Sequence, residues 1–380
     1  MPPKIETDSP SSQLQTTLYE SITRSLSSQR PLLTHLNADT TWLLSIPYPS
    51  PAPSARNRAF YHILIDPWLK GGQSDVAAFF SQQWHATPSS VQTIAEVEDV
   101  IRRIGDAVKG EKDGTSGVDM DDVDMGLAER GGDVIVVDAG GTGEKETEEG
   151  NTIDAVVVSH EFTDHMHKET LLEISKTVPV FATVKAAGII RSWIHFDFVA
   201  DIPRFSGDWR MSSNEMLPDW LGISRVAKPG KDLLYYHSAI MIAFPKGEEG
   251  KVEAVIYTPH GITPADLQPV ADAEPRVQTL ALLHGLQDIS LPRAQLNKGA
   301  HNGLKAQRLL GAKYWIGTHD ELKKGGGIVS WFLKRKHITL KDAIEKEKAE
   351  HGEKMKGSDL ESMKDVRFED LGNGESLLLE

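Results

Sequence analysis

Short, nearly unbroken apolar runs alternate with amphipathic stretches along most of the chain, and that alternation predicts an α/β protein. Thr41 to Ile46 reads as a strand, and Pro47 to Arg58, rich in Pro and Ser, as a loop. Ala59 to Ile65 reads as the returning strand and stops at Asp66-Pro67. Ile94, Val97, Ile101, Ile104 and Val108 recur on one helical face between Ser90 and Val108, and Thr93 with Glu96 supplies a capping box. Ile153 to Val158 is almost continuously apolar, which predicts a strand covered on both faces. A helix over Leu171 to Ile174 follows. Further strands are expected at Val178–Thr183, Leu233–Tyr236, Met241–Phe244, Val252–Tyr257, Thr279–Leu283 and Tyr314–Ile316. A helix over Gly303–Leu310 ends at Gly311, and Thr339 with Asp342 opens a charged C-terminal helix. The sum is a layered domain with sheet between helices.

Two stretches carry no such period. Residues 1–30 are rich in Ser, Thr, Gln and Pro and read as a disordered tail. Residues 109–150 are acidic and Gly-rich and read as a surface insertion. Within it, Asp133–Asp138 is a possible strand, and Gly140, Gly141 and Gly143 make a poor phosphate loop because no Lys-Ser/Thr pair follows. The expected organisation is a tail (1–30), a main domain (31–335) carrying this insertion, and a charged helical extension (336–380).

Composition narrows the chemistry. The 380-residue chain has no cysteine, which removes disulfides, thiolate nucleophiles and Cys-based zinc sites. Its formal charge of −14 disfavours nucleic acid as a partner. The Lys-rich stretch from Lys323 to Lys336 is the one candidate basic patch, and it reads more simply as a solvated surface. No apolar run is long enough to span a membrane. The expected location is the cytoplasm and the expected partner a small-molecule substrate.

The candidate chemistry is concentrated in Ser159-His160-Glu161-Phe162-Thr163-Asp164-His165-Met166-His167, between the buried strand and a helix. A loop at a strand's carboxyl end is where α/β proteins place functional groups. Three imidazoles and a carboxylate suit zinc, with manganese or iron as alternatives.

The segment resembles the H-x-H-x-D-H signature of the metallo-β-lactamase superfamily, with His160, Asp164 and His165 at matching positions and Phe162 where the second His would stand. Leu64-Ile65-Asp66-Pro67-Trp68-Leu69 is similar to the family's early strand. His237 is similar to its third-motif His, and Gly317-Thr318-His319-Asp320 to its final His. Tyr257-Thr258-Pro259-His260-Gly261 lies where a Gly-Asp pair is usual. The resemblance covers roughly residues 35–330 and is nearest to lactonases acting on sugar phosphates.

The resemblance implies a four-layer αββα sandwich and metal ligands at His160, Asp164, His165, His237, His260 and His319. Asp164 and His260 would be the catalytic residues. With Phe162 unable to ligate, one ion is expected to be held firmly, by Asp164, His165 and His319. His167 is a substitute ligand of lower rank. Asp66 is expected to be a hydrogen-bond acceptor at the base of the site, and His284, Asp288, Asn297, His301, Asn302, Gln73, Asp75 and His85 are candidates by position only. The implied activity is hydrolysis of an ester, lactone or phosphodiester by metal-activated water. The alternative is a scaffold that has lost catalysis and serves as a binding module.

Overall fold

The computed structural model describes residues 28–49, 58–75, 81–112, 152–228, 236–247, 250–351 and 366–380, together with residues 22, 24, 25 and 79. Most of the acidic insertion, with Asp133–Asp138 and the glycines after it, lies outside the described residues. So do residues 233–235 and most of the N-terminal tail.

The described chain is a mixed α/β structure. A seven-stranded sheet runs in the order Ser376–Leu378, Leu32–His35, Trp42–Pro47, Phe60–Ile65, Ala155–Val158, Val180–Ala182, Val199–Asp201. The pairings from Phe60–Ile65 onward are parallel, and the others antiparallel. A six-stranded sheet runs Phe368–Glu369, Tyr314–Ile316, Val277–His284, Val252–Thr258, Ala239–Pro245, Gly222–Val226.

Side-chain alternation along the strands assigns each residue to a core. Ile63, Ile65, Ala155 and Val157 of the first sheet pack with Ile240, Ile242, Tyr257, Leu283 and Ile316 of the second, so the two sheets share an apolar interior. Their alternate neighbours Leu64, Val156 and Val158 point the other way and meet Ile94, Val97, Ile101 and Ile104 of the helix Ile94–Lys112. On the second sheet, Met241, Ala254, Ile256 and Leu282 pack against Leu267, Val270 and Ala306. A one-residue slip in any of these strands would exchange its two faces. Each fully buried Val, Leu or Ile contributes about 1.5–3 kcal/mol through removal of apolar surface from water.

The C-terminal segment, expected to be helical, holds a helix at Leu340–His351 and then two strands. Phe368–Glu369 pairs with Tyr314–Ile316, and Ser376–Leu378 pairs with Leu32–His35, so the end of the chain adds an edge strand to each large sheet. Two small sheets lie beside the ends of the large ones: Ala294–Asn297, Gln287–Leu291 and Lys334–His337 in one, Gln82–Trp84 with Lys324–Gly326 in the other.

Candidate metal centre

The motif loop starts where the fully buried strand Ala155–Val158 ends. Asp66, at the end of the neighbouring parallel strand, anchors it. Ser159 donates its N–H (2.7 Å) and hydroxyl (2.5 Å) to the Asp66 carboxylate, and His165 donates from Nδ1 to Asp66 Oδ2 at 2.7 Å. Asp66 holds φ at 44°, and His319 at 60°, left-handed conformations that cost free energy in a non-glycine residue and cluster at functional sites. Thr163 donates its N–H to Asp75 Oδ1 (2.9 Å), which ties the motif loop to the loop after the first strands. His167 caps the helix Lys168–Leu172, with Nδ1 facing the N–H and hydroxyl of Thr170, and joins no ligand group.

His260 and His319 come from the second sheet, each just past a strand's carboxyl end. His260 projects from a tight turn in which Gly261 N–H bonds the Thr258 carbonyl at 3.1 Å. Gly261 has φ +75°, and a Cβ there would fall 2.8 Å from the Lys298 carbonyl oxygen, so the turn requires glycine. His319 follows Tyr314–Ile316, and its N–H bonds the Asp39 carbonyl at 2.8 Å.

These loops converge. His160, His165 and His260 form one group of ligating atoms within 4.8 Å of one another, and Asp164, His165 and His319 form a second. His165 belongs to both. The Nε2 atoms of His160, His165 and His260 are buried and have no hydrogen-bond partner. A buried polar atom left unpaired costs about 1–3 kcal/mol, so three together mark a place kept for something that binds them.

Hydrogen bonding sets which ring nitrogen is bare. His165, His260 and His319 donate from Nδ1 to Asp66, Asn297 Oδ1 (2.8 Å) and Asp39 Oδ1 (3.0 Å) respectively, which leaves each Nε2 lone pair free to ligate. His160 differs, because its Nδ1 accepts from Phe162 N–H at 3.2 Å. It can ligate through Nε2 only with its proton on Nδ1 and that bond given up.

The electrostatics agree for His160, His260 and His319 and oppose for His165. Burial, followed by the neighbouring rings of His165 and His260, holds His160 well below the usual imidazole value. Burial, with His319 and His165 next, does the same to His260. Burial and then Lys323 lower His319. Neutral imidazole is the form that binds a metal ion. For His165 burial also opposes the charged ring, but the carboxylates of Asp164 and Asp66 outweigh it and raise the ring above its ordinary value.

Phe162 stands at the position where the sequence resemblance would place a second histidine. Its ring stands edge-on to His160, centroids 4.8 Å apart, and 5.9 Å from that of His260. It is an apolar wall against the imidazole group. His237 is brought to neither group: its Nε2 lies 3.1 Å from the Leu296 carbonyl oxygen on the small sheet. His284 is bonded at both nitrogens, to Gly285 O and Asn302 Oδ1, and Asp288 accepts the Gly299 N–H at the start of helix Ala300–Leu310, so both hold local structure. His85 stacks on Trp68 and bonds Glu321 at 2.7 Å. Asn297 orients His260, and Gln73 and Asp75 line the cavity described below.

Sequence reasoning missed Asp39 and Lys323. Asp39 sits in the turn between Leu32–His35 and Trp42–Pro47, where Asn37 Oδ1 accepts the N–H groups of Asp39 (2.9 Å) and Thr41 (3.0 Å). The Lys323 side chain is only 4% exposed. Its ammonium lies 2.7 Å from Asp164 Oδ2, 2.7 Å from Asp39 Oδ2 and 5.2 Å from the centre of the Trp68 ring. Burial resists charge on both partners, yet Lys323 holds the Asp164 carboxyl well below its ordinary range, and Asp164 with Asp39 raises Lys323.

A cavity of about 280 Å³ opens on the cluster, with Phe162, Asp164, His260, His319 and Lys323 at its base. Ile289, Leu291, Leu296, Leu333 and Arg335 of the small sheet and its approach line the other side.

Neither a protein-family model nor a curated protein matches the chain. Among solved structures, the chain is similar to an isothiocyanate hydrolase from Delia radicum gut bacteria, with 14% identity and a TM-score of 0.48 over 91% of this chain and 98% of that one. A possible metal-dependent hydrolase from Veillonella parvula shows 12% identity and a TM-score of 0.48 over 92% of this chain and 100% of that one. A metallo-beta-lactamase fold protein from Bacillus subtilis shows 10% identity and a TM-score of 0.40 over 92% and 99% respectively.

Proposed function

We propose that the protein is a metal-dependent hydrolase of the metallo-β-lactamase type, its two sheets and their outer helices forming an αββα sandwich. The carrying observation is the convergence of three buried, unpartnered imidazole nitrogens, from His160, His165 and His260, the last of which lines a cavity. Three imidazoles are a donor set that zinc accepts in catalytic sites, with manganese and iron as alternatives.

The reading allows one ion. His165 Nδ1 is committed to Asp66, so only Nε2 can ligate, and it cannot serve both groups. The imidazole group is the better holder because Asp164 in the other group is already ion-paired. This moves the ion from the Asp164/His165/His319 set expected from sequence to His160/His165/His260.

A divalent ion there would supply Lewis acidity toward the substrate and lower the pKa of water at the site. The chain's own residues do the rest. Asp66 and Asn297 fix the rings of His165 and His260. Asp164 is held ionised, and its Oδ1, the oxygen not paired with Lys323, would orient the attacking nucleophile. Phe162 keeps bulk water from one flank. The apolar wall fits a substrate with an aliphatic or aromatic body. Arg335, half-buried at the cavity lining, would pair with a negative group on it. The bond broken is that of an ester, lactone or phosphodiester in a small molecule, with the sugar-phosphate lactonase branch as the nearest model. A cytoplasmic setting fits the absence of cysteine.

The test is to strip the protein with chelator, restore zinc, manganese or ferrous iron, and follow hydrolysis of an aryl ester, a lactone and a bis-aryl phosphate. Metal-stimulated turnover that disappears in Asp164→Ala supports the reading. Tight ion retention with no turnover on the panel would favour the binding module instead, a reading motivated by Phe162 in the second histidine's place.

A further inference from the structure

Asp39, Asp164 and His319 form a second polar pocket next to the three imidazoles. Both carboxylates are buried, with Asp39 side chain 0% and Asp164 side chain 9% exposed. Two buried carboxylates with a bare imidazole nitrogen alongside make a favourable place for a divalent cation. That place already holds a positive charge. Lys323 Nζ contacts one oxygen of each carboxylate at 2.7 Å and comes within 3.4 Å of His319 Nδ1. The face of Trp68 backs the ammonium at 5.2 Å.

Bonds to the backbone fix the two carboxylates around the lysine. The turn carrying Asp39 bonds His319 through the Asp39 carbonyl, and Thr40 donates its hydroxyl to the Asp164 carbonyl at 2.9 Å, so the two carboxylates have a fixed spacing. Without the lysine, the two adjoining carboxylates would concentrate negative charge at this point and attract cations generally.

We propose that Lys323 is a built-in cation that fills the carboxylate half of the site, confines a divalent ion to the His160/His165/His260 half and limits the protein to one. The inference rests on the metal-centre reading above. Lys323 also lines the cavity, so its charge is presented to the oxygen of a bound substrate in the way a second ion's would be.

The experiment compares ion retention in four proteins after zinc loading and exhaustive dialysis, by elemental analysis, with thermal melts to confirm folding. The wild type should keep one zinc per chain. His160→Ala removes a ligand of the imidazole group, and Lys323 bars the other, so it should keep none. His160→Ala/Lys323→Gln, which removes the charge but keeps a hydrogen-bond donor for the carboxylates, should regain one zinc at Asp164/His165/His319. His160→Ala/Lys323→Met should behave likewise and covers the case in which the glutamine variant does not fold. A full equivalent kept by His160→Ala would overturn the role of Lys323 and leave the metal-centre reading intact, as would a folded double variant that stays empty. Two equivalents in the wild type would also overturn it. No zinc in the wild type would sink the metal-centre reading and this inference with it.

Discussion

The two halves of the site solve the burial of polar groups in opposite ways. On the carboxylate side the charges are partnered: Lys323 pairs with both Asp39 and Asp164, and Asp39 also accepts from His319 Nδ1. On the imidazole side three nitrogens are left bare. A matched buried network holds structure, while an unmatched one is a standing cost that a ligand can relieve. The difference makes the first half a fixed frame and leaves the second open to a ligand, while Asp164, His319 and Lys323 of the one and His260 of the other line the same cavity.

The largest effect should come from the residue both halves share. His165→Ala should lose ion retention altogether and reduce hydrolysis to background, because two imidazoles are fewer than catalytic zinc sites use. Elemental analysis and turnover would check this; a variant that keeps its ion would place the centre elsewhere.

Next is a break on the matched side. Asp39→Ala should destabilise the fold by about 1–3 kcal/mol, since it leaves Lys323 with Asp164 alone of its two carboxylates and the His319 Nδ1 donor without its buried acceptor. Urea unfolding would measure it, and a loss under about 1 kcal/mol would mean the network is not structural.

Asn297→Ala touches the unmatched side more gently. It frees the His260 ring to turn, and should weaken zinc affinity about 10–100-fold while changing stability little. Competition with a chromophoric chelator would read this.

A buried imidazole outside the site gives the baseline. His62, bonded to Ser45 Oγ at 2.9 Å, is lowered from 6.5 to about 3 by burial and then by Arg58. A histidine lowered in the folded state favours folding fully above the unfolded value near 6.5, and that contribution erodes as the pH falls from there toward 3. Acidification from pH 7.5 to 5 should therefore cost about 2 kcal/mol from this group alone, and the loss should be absent in His62→Gln. An unchanged slope in that variant would reassign the acid sensitivity.

How far the sequence revealed these regions depended on whether the signal was local. The strand Ala155–Val158 and the loop after it were legible because apolar continuity and dense ligand chemistry fall within a dozen residues. Tyr314–Ile316 was read to the residue, and the loops carrying His260 and His319 were located by order along the chain. That they meet was implied by the family resemblance alone, since no local signal shows two sheets packing face to face; of the expected set, His237 stays apart. Lys323 was read as part of a solvated basic stretch. Nothing in its neighbours shows that Asp39, 284 positions earlier, and Asp164 would enclose it. The strand Lys334–His337 was missed because three of its four residues are basic, a composition that masks the backbone pairing with Gln287–Leu291. Ser376–Leu378 was missed for a different reason: an edge strand takes its identity from its partner, Leu32–His35, across the length of the chain.

That last pairing has a practical side. The seven-stranded sheet is closed at one edge by the final residues, and the Asp39 turn leaves directly from the Leu32–His35 strand they cover. His35 N–H bonds the Glu375 carbonyl at 2.9 Å, and Gly374 N–H returns a bond to the His35 carbonyl at 2.8 Å. Trimming the last several residues, or fusing a bulky tag against them, would loosen the hairpin that presents Asp39. The damage would surface at the cavity that the Asp39 turn supports, which makes these last residues a poor place to attach anything.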